Sequence, residues 1–511
     1  MSNRGRDAGV FAVVAALAVI WVMLASAPKS SAIPAFSRKY QTSCTTCHNN
    51  YPELNDFGEA FKKNGFKFPN DDETFVKEPP VLLGSKAQKE AFPGAVYPGE
   101  IPGFLPIAFR YSGNFTWNAK QPQAVQATSY APQTDLFEPN TFTIISAGSF
   151  GPNLAFWIDN DLSTSGSGAG GGLGDGYLRY NDIGHIFGLP NNSLNVRFGQ
   201  FEPDLPFTQA RSIYPSAYDV FSEVAVGQGP ACNANATPPV LACQTASNPF
   251  VLGVPQRGIE FGGYPNNGNF TWSFAVFNGT NSNYGLTGAS APLTARNTKD
   301  IYIRVSQKFN LERDPESRHA VQAAGPTGPR DHTSIRLGAF YYHGWNEYNY
   351  GGSQFPFTGT IQEPFYRAGG DIRIKYRKME LFGVGMVGHD NNHFVDQTVT
   401  PPTIVAAHAV TYTGGFAGSN FWIYPWMIGY LRYDFVNSPT DFLNGISPTA
   451  SQYKTRNRVS PGFQVLLRAN IKIIGEYQYH WGVPYTDTTV TPPVNKFYRP
   501  NSFVSGIDYV F

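Results

Sequence analysis

Charge, methionine, histidine and cysteine are all scarce in this chain, and each shortage excludes something. Charged residues make up only 15% of the 511, and 38 Lys and Arg stand against 37 Asp and Glu with no long block of either sign. That balance argues against a nucleic-acid partner or an anionic membrane surface. Only four cysteines are present. Two form a C-x-x-C pair, Cys44 and Cys47, with no second ligand pair nearby as zinc would want and no thioredoxin-like βαβ pattern around them. No methionine and no second histidine falls between His48 and about residue 95. What is abundant points one way: 15% aromatic residues, 52 Gly, 40 Pro, 28 Tyr and 40 Phe form the profile of a β protein with many turns. Length would ordinarily suggest several domains, but large barrels run long as one unit.

The chain opens with Arg4 and Arg6 ahead of an apolar run, Val10 to Ala27. This reads as a secretory signal, residues 1–32, with Ser30 and Ala32 supplying the small residues of a cleavage site; an uncleaved anchor is the alternative. Either way the remainder is exported. Export gives meaning to Cys44-Thr45-Thr46-Cys47-His48, the C-x-x-C-H pattern of covalent c-type haem attachment, which takes place outside the cytoplasm. Two thiols three apart lie on one side of a single turn, and His48 follows beneath the ring as proximal ligand of the iron.

Residues 33–95 therefore read as a monohaem cytochrome c domain carrying one covalently bound c-type haem. Pro52, the apolar spacing of Leu54, Phe57 and Phe61, early acids, late Lys62 and Lys63, and Gly65 predict a short helix there. A distal ligand of the usual kind is absent locally, so the sixth position is open, weak or supplied from elsewhere. Roughly sixty residues also make too small a core to bury a haem unaided.

From residue 96 to 511 the pattern is period-two alternation in segments of about ten residues. Ile301, Ile303 and Val305 oppose Tyr302, Arg304 and Ser306; Ile372, Ile374 and Tyr376 oppose Arg373, Lys375 and Arg377; the chain ends on Phe503, Ile507, Tyr509 and Phe511. About sixteen such segments, from 105–117 to 501–511, with connections that alternate short and long, predict an all-β outer-membrane barrel of antiparallel strands. Its surroundings are then the lipid of the bacterial cell outer membrane. A barrel of this size leaves an aqueous lumen, in or at which the small haem domain could be held. The connection from about 202 to 256 is predicted to be a long outward loop, stapled by a disulfide between Cys232 and Cys243.

The polar strand faces carry Arg110, Arg179, Arg197, Arg304, Arg336, Arg373, Arg377, Arg432 and Arg468, with Asp159, Asp161, Glu380, Asp434 and Glu476 among them. A solvated pore wall is the plain reading, and some arginines could pair with haem propionates. Candidate distal ligands in the lumen are His480 and Met386, with His343 and His408 behind them. His389 and His393, flanking Asp390, form the tight histidine cluster, at the outer end of a strand; such loop residues are more often solvated than metal-bound.

Phe36 through Phe66, with Cys44-Thr45-Thr46-Cys47-His48, Tyr51-Pro52, Leu54, Phe57-Gly58 and Asn64-Gly65-Phe66, resembles the fused monohaem cytochrome-porins of iron-oxidising bacteria. The resemblance is specific over about thirty residues and architectural beyond them. It implies an outer-membrane conduit that takes electrons from extracellular ferrous iron through the haem to a periplasmic c-type cytochrome or other carrier, with Fe(II):cytochrome c oxidoreductase activity if it is an enzyme. Arg38-Lys39-Tyr40 and Asn55-Asp56 depart from that family's pattern, where a threonine-containing stretch is more usual, and leave room for a sister group with another donor or an outward flow. The rival expectations are a diffusion porin with a tethered periplasmic haem domain, and a haem enzyme using an open iron position.

Overall fold

The fold was taken from a computed structural model. It describes residues 35–68, 76, 81–93, 99–103, 105–119, 134–151, 153–164, 172–208, 211–222, 242–244, 248, 250–265, 268–279, 298–311, 333–350, 359–391, 393–396, 403–406, 410–437, 455–480, 485–487, 494–496 and 501–511. Residues 1–32, Cys232 and His408 lie outside these, as does the side chain of Cys243, and so do the readings of a signal and a disulfide.

Sixteen strands close into one antiparallel barrel. In chain order they are β1 (Ile107–Asn118), β2 (Thr134–Phe150), β3 (Leu154–Thr164), β4 (Leu173–Tyr180), β5 (Asn195–Phe201), β6 (Gln256–Gly263), β7 (Phe270–Phe277) and β8 (Asp300–Asn310). There follow β9 (Ser334–Tyr350), β10 (Gly359–Tyr376), β11 (Met379–Asp390), β12 (Val410–Tyr424), β13 (Met427–Asn437), β14 (Thr455–Arg468), β15 (Ile471–His480) and β16 (Ser502–Val510). Each strand pairs with its successor, β5 with β6 included despite the long connection between them. Closure joins β16 to β1, from Ser502 opposite Asn118 to Val510 opposite Arg110. The terminal Phe511 extends that seam, exchanging backbone hydrogen bonds of 2.7 and 2.9 Å with Phe109.

The alternation seen in the sequence becomes an inside and an outside. Along β8, Asp300, Tyr302, Arg304 and Ser306 are buried inward, while Ile301, Ile303 and Val305 are exposed on the outer wall. Apolar and aromatic side chains dominate the exterior elsewhere too, and stacked Tyr424 and Trp426 mark the tight turn between β12 and β13. With every strand paired and no open edge, this wall can stand in hydrocarbon.

The interior departs from expectation. Two described stretches of the 202–256 connection, around 205–221 and 250–252, turn inward instead of outward, while Ala242–Gln244 pair with 394–396 in a separate small sheet. Leu205, Phe207, Ile213, Tyr214, Tyr218, Val220, Phe221, Phe250 and Leu252 form one buried cluster with Phe340, Tyr342, Phe365, Phe382, Phe416 and Tyr430 of the barrel wall. A loop buried this way leaves carbonyl groups that need donors. Arg432 supplies them to Ser216 and Ala217 at 3.1 and 2.7 Å, and Arg458 reaches Ala217 at 2.5 Å and Asp219 at 3.2 Å. This stretch of lumen is therefore packed rather than aqueous, and two of its wall arginines fasten the loop.

Most of the remaining wall charges neutralise one another: Arg197 with Glu260 at 2.6 Å, Arg304 with Asp371 at 2.8 Å, Arg367 with Asp390 at 2.8 Å and Arg373 with Glu380 at 3.1 Å. Arg377 is not a lumen residue at all. It occupies the exposed turn after β10, with its guanidinium over the Tyr376 ring.

Candidate functional site

The C-x-x-C-H run forms a single 3-10 turn, Cys44–Thr46, closed by Thr46 N–H to Ser43 at 3.0 Å and Cys47 N–H to Cys44 at 3.2 Å. His48 begins a two-strand ribbon, His48–Asn50 against Glu53–Leu54. Here the sequence reading needs correction, because Pro52 lies in the ribbon's turn, after a cis peptide bond, and not in a helix. The helix is Asp56–Lys63, with Asn55 as its N-cap: Asn55 Oδ1 accepts from Gly58 N–H at 2.8 Å. Asn55 has the geometry to cap because its backbone is extended, and its amide then reaches back to the motif. Asn55 N–H donates to the Cys47 carbonyl at 3.0 Å, and Asn55 Nδ2 donates to the Thr46 carbonyl at 3.0 Å. Gly58 lets the helix lie against that same Cys47 carbonyl.

This N-terminal segment is docked inside the barrel. Asp56 sits between Lys308 of β8 at 2.6 Å and Lys375 of β10 at 3.2 Å. Asn50 Nδ2 donates to Gln464 of β14 at 2.5 Å, Lys472 of β15 donates to the Tyr51 carbonyl, and Tyr264 donates to the Lys63 carbonyl. Arg38 donates to the carbonyls of Leu105 and Ile107, each at 2.7 Å. Tyr40, Phe61, Phe66 and Phe68 pack with Ala147, Ala155 and Trp157 of the wall. A small segment without a core of its own has borrowed one from the barrel.

Between the segment and the wall lies a cavity of about 610 Å³. Cys44, Cys47 and His48 face it from one side; Ala108, Ile145, Ala147, Trp157 and Ile474 face it from the barrel. The remaining lining includes Phe36, Tyr40, Phe61 and Phe66, the cations Lys62, Arg110, Arg211 and Lys472, and the acids Asp159, Asp161, Asp175, Glu202 and Asp508. More apolar than polar, with nine charged residues of both signs at its margins, and in the size range of ligand sites, it suits a flat macrocycle with an ionised edge.

The chemistry of the donors fits haem better than a redox dithiol. Burial pushes the Cys47 thiol up to about 12, with the neighbouring Cys44 adding to it, and burial also raises Cys44. Such thiols are poor exchange nucleophiles. Burial holds the His48 imidazole down to about 4, so it is neutral at ordinary pH. Its Nδ1 lies 3.2 Å from the Pro52 carbonyl. As the donor in that contact, Nδ1 leaves Nε2 with a lone pair, the arrangement that orients a metal-ligating histidine.

The other candidates are scattered. Met386 is buried in the cluster around the inward loop, His343 lies on the face of β9 that carries exposed Tyr341, and neither lines the cavity. His480 ends β15 opposite Arg458, also outside the lining. His389 bonds to Thr411 at 2.8 Å and to Asn391 at 3.2 Å, and among the described residues no group of three or more His, Cys, Asp or Glu side chains is arranged to hold an ion. Lys62 and Arg211 are cavity residues that the sequence reading did not assign to the site, and Lys472 is one that it placed only on the polar face of its strand. Period-two alternation does put Lys472 on the inward face; nothing local signals Arg211, whose loop is drawn inside by tertiary packing.

No family model matches the chain, and no curated protein matches it. Among solved structures it is similar to the outer membrane channel DcaP of Acinetobacter baumannii, at 12% identity and a TM-score of 0.45, covering 79% of this chain and 96% of that one. It is also similar to Salmonella typhi OmpF in complex with daunomycin, at 10% identity and a TM-score of 0.44 over 80% and 98% of the two chains. A third is Pseudomonas putida OprB, at 11% identity and a TM-score of 0.42 over 79% and 94%. The closed, even-stranded, outwardly apolar wall makes this chain a porin-like barrel of the bacterial outer membrane.

Proposed function

We propose that the barrel is an electron conduit across the outer membrane, holding one c-type haem on Cys44 and Cys47 with His48 as proximal ligand. The observation that carries this reading is the placement of the C-x-x-C-H turn on an interior cavity of about 610 Å³, with His48 already held through Nδ1 by the Pro52 carbonyl. Bound there, haem supplies a one-electron couple inside the insulating wall. The chain's own residues do the positioning. The ribbon and Asn55 fix the attachment turn, Asp56 and its two lysines anchor the helix beneath it, and the aromatic cluster excludes water from the apolar face. Ferrous iron is the donor expected from the cytochrome-porin resemblance, and a periplasmic cytochrome or similar carrier the acceptor.

A second reading, passive diffusion of small solutes, is favoured by the sixteen-strand closed wall itself, which is porin architecture. The inward loop weighs against it, since aromatic side chains fill the lumen around Phe207, Tyr218 and Phe221. The test combines two measurements on detergent-solubilised protein. Covalent haem absorbance that converts from the ferric to the ferrous spectrum within seconds of adding ferrous iron under anoxia, together with negligible planar-bilayer conductance, is the expected result. Haem-free protein with open-pore conductance establishes the porin instead; attached haem that dithionite reduces and ferrous iron does not would remove iron as the donor and favour outward flow.

A further inference from the structure

The cavity's four cations fall into two unlike pairs. Arg110 is committed: its Nε and Nη2 reach the two carboxylate oxygens of Asp508 at 3.2 and 2.9 Å. Lys472 is committed as well, to Asp508 at 3.4 Å and to the Tyr51 carbonyl. Lys62 and Arg211 differ. Lys62 is on the last turn of helix Asp56–Lys63, Arg211 is on the inward loop, both line the cavity, and neither side chain makes a hydrogen bond or ion pair with any described residue. Asp175 and Glu202 line the same cavity, but Asp175 is engaged by the Glu202 backbone N–H at 3.0 Å, and no ion pair links either acid to Lys62 or Arg211.

Two cations brought from separate parts of the chain into one mostly apolar cavity keep their N–H donors free for an anionic ligand, even though Glu202, Asp175 and Glu59 lie close enough to act on both charges. Burial, and then the Arg211 guanidinium, push the Lys62 ammonium down to about 7, whereas Glu202, Asp175 and Glu59 outweigh burial at Arg211 and raise it. The cavity that holds them is the one faced by Cys44, Cys47 and His48. We infer that Lys62 and Arg211 form the carboxylate-binding end of this site and hold the two propionates of the haem. The inference rests on the haem reading above and deepens it. It also gives the inward loop a part in the site, since Arg211 reaches the cavity only because its loop is packed inside the barrel. Arg211's planar fork suits a carboxylate, while Lys62 supplies a point charge.

The test is potentiometric titration of the full-length protein, followed in the visible haem bands. Haem staining after denaturing electrophoresis comes first, because unmodified wild-type protein would sink the haem reading itself, and this inference with it. With haem attached, Lys62→Gln and Arg211→Gln should each lower the reduction potential, by about tenfold in the one-electron equilibrium or about 59 mV, since a nearby cation favours the less positive ferrous form. Lys62→Arg and Arg211→Lys, which keep the charge, should stay near the wild-type value. The propionate assignment is overturned if the two Gln variants carry attached haem at the wild-type potential. It is equally overturned if the charge-keeping variants fall as far as the Gln variants, because packing and not charge would then be responsible.

Discussion

Substituting Gly58 by alanine isolates the contact on which the Cys44–Cys47 turn rests. In an ordinary exposed helix this change stabilises, by about 0.5–1 kcal/mol, because glycine loses more conformational freedom on folding. Here a Cβ would collide with the Cys47 carbonyl oxygen, and would stand 2.9 Å from the Cys47 carbonyl carbon and 3.0 Å from Leu54 Cδ2. The first obstacle is backbone, so no rotamer change relieves it. The helix must move away, and moving it stretches the two Asn55 bonds to Cys47 and Thr46, each now 3.0 Å. Overpacking costs about 1–3 kcal/mol and two weakened hydrogen bonds about 1 kcal/mol each. Subtracting the helix-propensity gain leaves a net loss of about 2–4 kcal/mol, opposite in sign to the usual effect. Amide hydrogen exchange by mass spectrometry on the detergent-solubilised protein reads this directly. Peptides covering 44–63 should exchange about 30- to 700-fold faster, at about 1.4 kcal/mol per tenfold, with the barrel strands unchanged. Exchange equal to or slower than wild type would refute the close approach of helix and motif.

Replacing both Cys44 and Cys47 by serine should abolish covalent haem staining, whereas His48→Gly should keep the stain and alter the visible spectrum; unchanged spectra in the second variant would remove His48 as ligand. Asp56 carries a pH dependence with a definite sign. Burial pushes its carboxyl up, but Lys375 and Lys308 outweigh that and hold it well below the usual range. Its stabilisation is therefore present above the ordinary carboxylate value of about 4 and fades as pH falls below it. The Asp56 side chain is 41% exposed, so screening limits the worth of the pair to about 1 kcal/mol. Asp56→Asn should make docking of residues 35–68 less stable at neutral pH and insensitive to acid near pH 3, measured by limited proteolysis; a variant that keeps the wild-type acid response would refute the clamp. Trp157→Ala removes a ring 5.5 Å from that of Phe66 and packed on both buried clusters. A loss of about 3 kcal/mol is expected in N-terminal protection, and unchanged proteolysis would show that the segment docks without it.

Periodicity carried most of the architecture. The alternation of Ile301, Ile303 and Val305 with Tyr302, Arg304 and Ser306 was enough to assign inside and outside, because a strand has only two faces and a lipid-facing wall tolerates only one kind of residue on the outer one. The count of about sixteen strands was legible for the same reason: it is enforced locally, by a dihedral period. What the sequence could not decide is what filled the barrel. The 202–256 connection has the composition of a surface loop, yet Phe207, Tyr218 and Phe221 bury against Phe340, Phe382 and Phe416, residues far away in the chain. The partner of an inward arginine was equally hidden: Arg432 serves loop carbonyls, Arg110 serves Asp508, and Arg211 faces the cavity unpaired, although all three are the same residue type. Local pattern specifies which side a residue points to; only the closed barrel, bringing strands and loop into one enclosed volume, decides what it meets there.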